Sequence, residues 1–181
     1  MSRTFAFFGG SFDPPHVGHV LAASWVLSTS AIDEILVVPA FAHPFGKPLA
    51  PFHHRLEMVR RAFDDLARVE ISSVEERMGG SSYTIHTLER LREERPDAAW
   101  RLVIGSDLVA QVPSWHEGER VPELAPLLVV GRGGHDGGME EIVMPQVSST
   151  EVRRRIAADE AVDALVPRRV IEYVAATGLY R

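Results

Sequence analysis

Short apolar runs alternate with longer amphipathic segments along this chain, and that order restricts it to a parallel sheet flanked by helices. Phe5-Ala6-Phe7-Phe8 reads as the first strand, and residues 20–27 as the first helix. Residues 34–38 form the next strand, stopped at Pro39, and a loop rich in Pro, Phe and His runs over 40–52. Leu56, Val59, Ala62, Phe63 and Leu66 recur with a helical period across 53–67. A short strand at 69–72 precedes a helix at 83–92 that carries Ile85, Leu88 and Leu91 on one side. Buried strands follow at 101–104 and 127–130, then a glycine-rich loop at 131–138 and a weak strand, Ile142-Val143-Met144. Helices at 151–158 and 168–177 close the chain, the second ended by Gly178. No repeat, low-complexity linker or composition break divides it, so residues 1–181 read as one α/β domain. Its expected architecture is a doubly wound, mainly parallel sheet with C-terminal helices. Ligands of such sheets bind beyond the carboxyl ends of the strands, where the loops gather.

The composition supports a packed core: 45% of residues are hydrophobic and 24% charged. No apolar run is long enough to span a bilayer, and the first residues have neither a signal-peptide nor a transit-peptide pattern. A cytoplasmic protein with no membrane partner is the expectation. There is no cysteine, hence neither a disulfide framework nor a thiolate metal site. The formal net charge is −6, and the densest basic run, Arg153-Arg154-Arg155, is short. Duplex binding leans on many Lys and Arg contacts to phosphates, so nucleic acid is not the expected partner. A small phosphorylated ligand held by a few local cations fits better, in a monomer or an oligomer.

The most distinctive stretch follows the first strand: Gly9-Gly10-Ser11-Phe12-Asp13-Pro14-Pro15-His16-Val17-Gly18-His19. The glycine pair lets the backbone turn sharply and approach a ligand closely. His16 and His19 are three residues apart near a helix start, so both imidazoles can project to one side of its first turn. Backbone N–H groups there favour anions, and the imidazoles can donate to phosphate oxygens whose charge rises in a transition state. Taken singly, a Gly-Gly pair or a His pair is more often a turn and a cap. A protein-held metal is not expected at the pair, because no third ligand stands nearby at a characteristic spacing. Near the C-terminus, Ser148 with Glu151 forms a capping-box pattern, and its hydroxyls, free N–H groups and Arg153 could also hold phosphates.

The first loop matches every defined position of the G-[ST]-F-D-P-x-H-x-G-H signature of the HxGH nucleotidyltransferase superfamily. The segment from Val147 to Arg153 resembles that superfamily's I-S-S-T-x-x-R motif, with Val147 in place of Ile. The resemblance implies a Rossmann-like nucleotidyltransferase fold with ATP as co-substrate and Mg²⁺ as its companion. It implies ATP contacts from Gly9, Gly10, Ser11, Phe12, His16 and His19, and from Ser148, Ser149, Thr150 and Arg153. Three further stretches resemble the bacterial nicotinate mononucleotide adenylyltransferase family. Ser82-Tyr83-Thr84 resembles its S-Y-T helix start, Gly105-Ser106-Asp107 its G-x-D segment, and Pro113-Ser114-Trp115 its P-x-W segment. These imply that Gly105 and Asp107 face ATP, and that Tyr83, Thr84 and Trp115 meet a pyridine mononucleotide. On base rates alone Trp115 is more often a core residue.

Two stretches depart from the family pattern. Where the family has P-P-H-K, this chain reads Pro44-Phe45-Gly46-Lys47, which keeps the Lys and lacks the preceding His. The loop after the strand at 127–130 is short, with Arg132 keeping a basic residue. The resemblance assigns Lys47 and Arg132 to the substrate, and His16, His19, Lys47 and Arg153 to catalysis. The implied reaction is adenylyl transfer from ATP to nicotinate mononucleotide. Nicotinamide mononucleotide or phosphopantetheine are alternative acceptors, and a nucleotide-binding regulatory module is the non-enzymatic alternative.

Overall fold

A computed structural model describes residues 2–43, 46–131 and 144–181. Five strands form one all-parallel sheet: β1 (Thr4–Gly10), β2 (Glu34–Pro39), β3 (Val69–Ile71), β4 (Ala99–Gly105) and β5 (Leu127–Val130), ordered β3-β2-β1-β4-β5. The expected doubly wound α/β fold is present. Strand β1 lies at the centre, with Phe7 opposite Leu36 of β2 and Leu102 of β4. Successive side chains of a strand point to opposite faces, so these apolar runs build two cores. On one face Phe5, Phe7, Leu36, Trp100 and Leu102 pack against α3 (Val74–Met78) and α4 (Thr84–Glu94). On the other, Ala6, Phe8, Ile35, Val37 and Val103 meet α1 (Val17–Thr29), α2 (Phe52–Phe63), α7 (Ser149–Ala157) and α8 (Arg168–Thr177). No described helix is long and apolar enough to cross a membrane.

The chain leaves β1 for β2 on one side and later returns to β4 on the other. The carboxyl ends of β1 and β4 therefore form the switch point of the sheet, where a crevice opens. Gly9 and Gly10 end β1 there, and Gly105 ends β4.

The elements that differ from expectation are short. Helix α3, together with α5 (Ser106–Val109) and α6 (Val121–Leu124), has only four or five residues, too few to show a helical period. Helix α1 begins at Val17, earlier than the expected 20–27, so His19 belongs to its first turn. Helix α8 ends where expected, with Gly178 left-handed at φ 67°. Ile142 and Val143 of the expected weak strand lie outside the described residues, while the Met144 N–H bonds the Gly131 carbonyl at 3.2 Å.

One glycine sets the path behind Trp115. The Gly118 N–H donates to the Trp115 carbonyl at 3.0 Å, folding the chain back on the 3-10 turn Val112–Ser114. A Cβ at Gly118 would sit 1.8 Å from the Val112 carbonyl oxygen. Backbone on both sides of that clash leaves no cheap relaxation. We predict that Gly118→Ala costs about 3 kcal/mol or more of stability. Denaturant unfolding checks it, and a change within about 0.5 kcal/mol would show that the turn has slack.

Candidate active site

His16 is the N-cap of α1, in extended backbone geometry, and is 2% exposed. Its N–H donates to His19 Nδ1 at 3.1 Å. Because Nδ1 accepts, the proton of a neutral His19 ring resides on Nε2, which fixes the tautomer. The two imidazoles stack, centroids 3.7 Å apart and planes 22° from parallel. The expectation that both rings share one side of the first turn is met. Gly18 lies between them because a Cβ there would approach His16 Nδ1 at 3.1 Å and Val147 Cγ1 at 3.2 Å. Phe12 is buried at 1% and meets His19 edge-on at 4.9 Å, so it supports the ring from the core.

Two cavities open at the switch point. One, of about 200 Å³, is lined by His16, His19, Gly105, Asp107 and Pro145. The other, of about 420 Å³, is lined by Ser11, Tyr83, Thr84, Ser114, Trp115 and His116. They share a wall made of Gly9, Gly10, Val103, Ile104 and Leu108. The glycine pair is thus the boundary between a histidine lobe and a tryptophan lobe, and nothing larger than backbone separates them at that point. Thr84 opens α4, so N–H groups of that helix's first turn lie beside the tryptophan lobe and suit an anionic group.

The loops around the lobes are held by buried polar groups that the sequence reading did not single out. Arg55 of α2, 1% exposed, donates to four carbonyls: Ser11 at 3.0 Å, Ala40 at 2.6 Å, Phe41 at 3.1 Å and Ala50 at 2.8 Å. Glu75, also buried, accepts from the Phe41 N–H at 3.0 Å and the Thr87 hydroxyl at 2.8 Å. Burial raises the Glu75 pKa, and hydrogen bonds from Ser82, Thr87 and Phe41 oppose that shift. Asp13 accepts from the Tyr180 hydroxyl at 2.6 Å, while Arg153 Nη1 lies 3.7 Å from its carboxyl and donates to its carbonyl at 2.6 Å. The C-terminus and α7 are thereby fastened to the first loop.

Other residues singled out in the sequence take separate places. Ser148 caps α7 by accepting from the Glu151 N–H at 3.2 Å, as the capping pattern implies. Ser149 donates to the Pro14 carbonyl at 2.9 Å, and Thr150 Oγ1 lies 3.4 Å from Arg153 Nη2. These residues stand at the start of α7 beside the first loop and do not line either lobe. Lys47 is exposed and lines an adjoining groove that meets the tryptophan lobe through His43. His43 itself is held below its ordinary pKa, by burial first and then by the Lys47 charge. Standing four residues before Lys47, it places an imidazole at the lobe despite the missing His of the family pattern. Arg132 lies outside the described residues, as do Pro44 and Phe45.

Residues 7–155 match the model of the cytidylyltransferase-like family. A relative from Anaeromyxobacter dehalogenans, named a probable nicotinate-nucleotide adenylyltransferase, is 46% identical, covering 99% of this chain and 97% of the relative. One of the same name from Myxococcus xanthus is 38% identical, over 97% of this chain and 93% of its own length. Among solved structures, the Plasmodium falciparum nicotinic acid mononucleotide adenylyltransferase complexed with NaAD superposes with a TM-score of 0.85. It is 23% identical and covers 98% of this chain and 97% of its own, a likeness of fold.

The Asp13–Tyr180 contact has a pH signature. The Tyr180 phenol is held well above its ordinary value, first by burial and then by its hydrogen bond to Asp13. A group whose pKa is raised on folding contributes stability that is fully present below its unfolded value, about 10, and is lost as pH rises above it. Tyr180→Phe should cost about 1–3 kcal/mol at pH 7, by removing a donor from a buried carboxyl. From about pH 10 upward the wild type should lose stability faster than the variant. Urea unfolding across that range checks both, and parallel pH profiles would contradict the assignment.

Proposed function

Because this chain belongs to the nicotinate-nucleotide adenylyltransferase family of cytidylyltransferase-like proteins, we propose that it transfers the adenylyl group of ATP to nicotinate mononucleotide, releasing deamido-NAD and pyrophosphate. The observation that carries this reading is the pair of lobes meeting at Gly9 and Gly10. ATP occupies the histidine lobe and the pyridine mononucleotide the tryptophan lobe. The acceptor's 5′-phosphate then meets the α-phosphorus over the glycine pair, where the shared wall has no side chain of its own.

The acceptor phosphate is already an anion, so no protein base has to deprotonate it. Its oxygen forms a bond to the α-phosphorus as the bond to the bridging oxygen breaks, and the electron pair leaves with pyrophosphate. Catalysis is then positioning and charge stabilisation. His19, with Nδ1 engaged by the His16 N–H, presents Nε2–H as a fixed donor to the phosphate oxygens that gain charge. His16, buried beneath it, holds the ring plane. Arg153 and the start of α7 add positive potential beside the first loop, and Lys47 adds its charge from the adjoining groove.

A Mg²⁺ ion bound with ATP would offset the charge of its phosphates. Asp107 is the one carboxylate lining the histidine lobe among the described residues, so the site fits an ion held mainly by phosphates and water. On the other side, Trp115 offers a flat face to the cationic pyridine ring. The first-turn N–H groups of α4, from Thr84 onward, suit its carboxylate, with Tyr83 beside them at the N-cap. Arg132 is proposed as a further substrate contact from its place after β5.

Pyrophosphate release with ATP, Mg²⁺ and each of nicotinate mononucleotide, nicotinamide mononucleotide and phosphopantetheine tests the reading. Release dominated by the nicotinate form is expected, and preference for another acceptor would overturn the substrate assignment. Absence of release with all three would leave a nucleotide-binding module. His19→Ala should lower kcat by about 10²–10³-fold with little change in ATP affinity. An active His19→Ala enzyme would remove the role given to that ring. Trp115→Ala should raise the acceptor's KM by about 10-fold and spare that for ATP; equal effects on both would place Trp115 outside the pyridine site.

A further inference from the structure

At the outer rim of the tryptophan lobe, His86 of α4 faces His116 and Glu117, the two residues that follow Trp115. One imidazole nitrogen from each histidine and one carboxylate oxygen all lie within 4.8 Å of one another. His86 is half-buried, and the other two are exposed. The rings are already organised: His86 and His116 meet edge-on at 5.2 Å, and Tyr83 lies 4.4 Å from His116. The turn that presents Glu117 has φ 49° and is closed by Gly118, which admits no side chain.

We propose that His86, His116 and Glu117 form a binding site for a borderline divalent transition-metal ion of the Zn²⁺ class. Two imidazoles with one carboxylate are a donor set that such ions use, with a further position left for water or another ligand. A tetrahedral ion with bonds of about 2.0–2.1 Å needs donor atoms roughly 3.3 Å apart. The trio therefore closes by at most about 1.5 Å, a movement that χ rotation of accessible side chains supplies.

The Glu117 oxygens divide their work. Oε2 takes a hydrogen bond from Arg120, whereas Oε1 lies 3.5 Å from His116 Nε2, turned toward the imidazoles. Arg120 is also bonded to Glu89 at 2.8 Å, so it acts as a brace that orients the carboxylate. Metal-ligating carboxylates are commonly held in this manner from outside. Glu117 and Glu89 together outweigh the single guanidinium, so the local charge favours a cation.

An ion here ties α4, which begins with Thr84, to the segment that carries Trp115. Both segments line the tryptophan lobe, so occupancy restrains its shape. The ion is distinct from any that accompanies ATP, because it sits on two borderline imidazole donors and a carboxylate outside the histidine lobe.

The test uses the full-length, tag-free chain without nucleotide. Calorimetric titration with Zn²⁺ should give one ion per chain, and Co²⁺ should develop visible absorption bands that Zn²⁺ abolishes. Saturating Zn²⁺ should raise Tm by several degrees, since a ligand of the native state stabilises it. His86→Ala and His116→Ala should each weaken binding by at least about 100-fold, and Glu117→Gln, close in shape, by about 10-fold. The double variant H53A/H54A removes a different pair of neighbouring histidines, on α2 with centroids 4.1 Å apart, and should bind as the wild type does. Unchanged affinity in both His86→Ala and His116→Ala, or affinity lost in H53A/H54A instead, would overturn the proposal. So would absence of stoichiometric binding in the wild type.

Discussion

The site depends on one buried cation. Arg55 sends its guanidinium between two loops and takes carbonyls from both, Ser11 on the first and Ala40, Phe41 and Ala50 on the second. Neither loop has a sheet or helix partner for those groups, and an unmade hydrogen bond to a buried carbonyl costs about 1–3 kcal/mol. Only Arg has a rigid fork of five donors able to reach several acceptors at once. Burial lowers the pKa of this guanidinium, and Asp13, Tyr180 and Glu75, which face it, oppose that shift. A Lys there would keep the charge but not the fork, and the loop that ends at the stacked histidines would lose its seat.

From that hub the rest follows in order. The first loop is fixed by Arg55 below and Arg153 at its flank, so α1 starts where the sequence puts His16. The His16 N–H sets the tautomer of His19, and Phe12 sets its distance from the core. Glu75 ties the second loop to α4 through Phe41 and Thr87, which places Thr84 opposite the glycine pair. The lobes are preorganised by backbone hydrogen bonds more than by direct contacts among the residues that would meet substrate. That is the arrangement expected where catalysis is chiefly positioning.

The sheet was legible in the sequence because each strand is a short apolar run bounded by turn residues, and the order of runs fixes parallel pairing. The histidine pair was legible because its chemistry is concentrated in one contiguous loop. Arg55 and Tyr180 stand in Arg55-Leu56-Glu57-Met58 and the C-terminal Gly178-Leu179-Tyr180-Arg181, where no local period or cap pattern marks either of them. Glu75 gave no signal at all. Their roles arise from contacts across 44, 167 and 34 residues, respectively, which no local period reports. The sequence also shows Lys47 without showing that it stands in an adjoining groove, or that His43 takes the place beside the lobe.

Under the proposed function, the adenylyl group passes directly across the glycine wall between two bound substrates, with no covalent enzyme intermediate. The most direct measurement is the stereochemical course at the α-phosphorus, using ATP that carries sulfur in one defined α-position as the adenylyl donor to nicotinate mononucleotide. A single in-line displacement inverts the configuration, and inversion is the predicted result. Retention would require two displacements, with the adenylyl group held on the protein between them. That outcome would contradict direct transfer and make one of the stacked histidines a nucleophile.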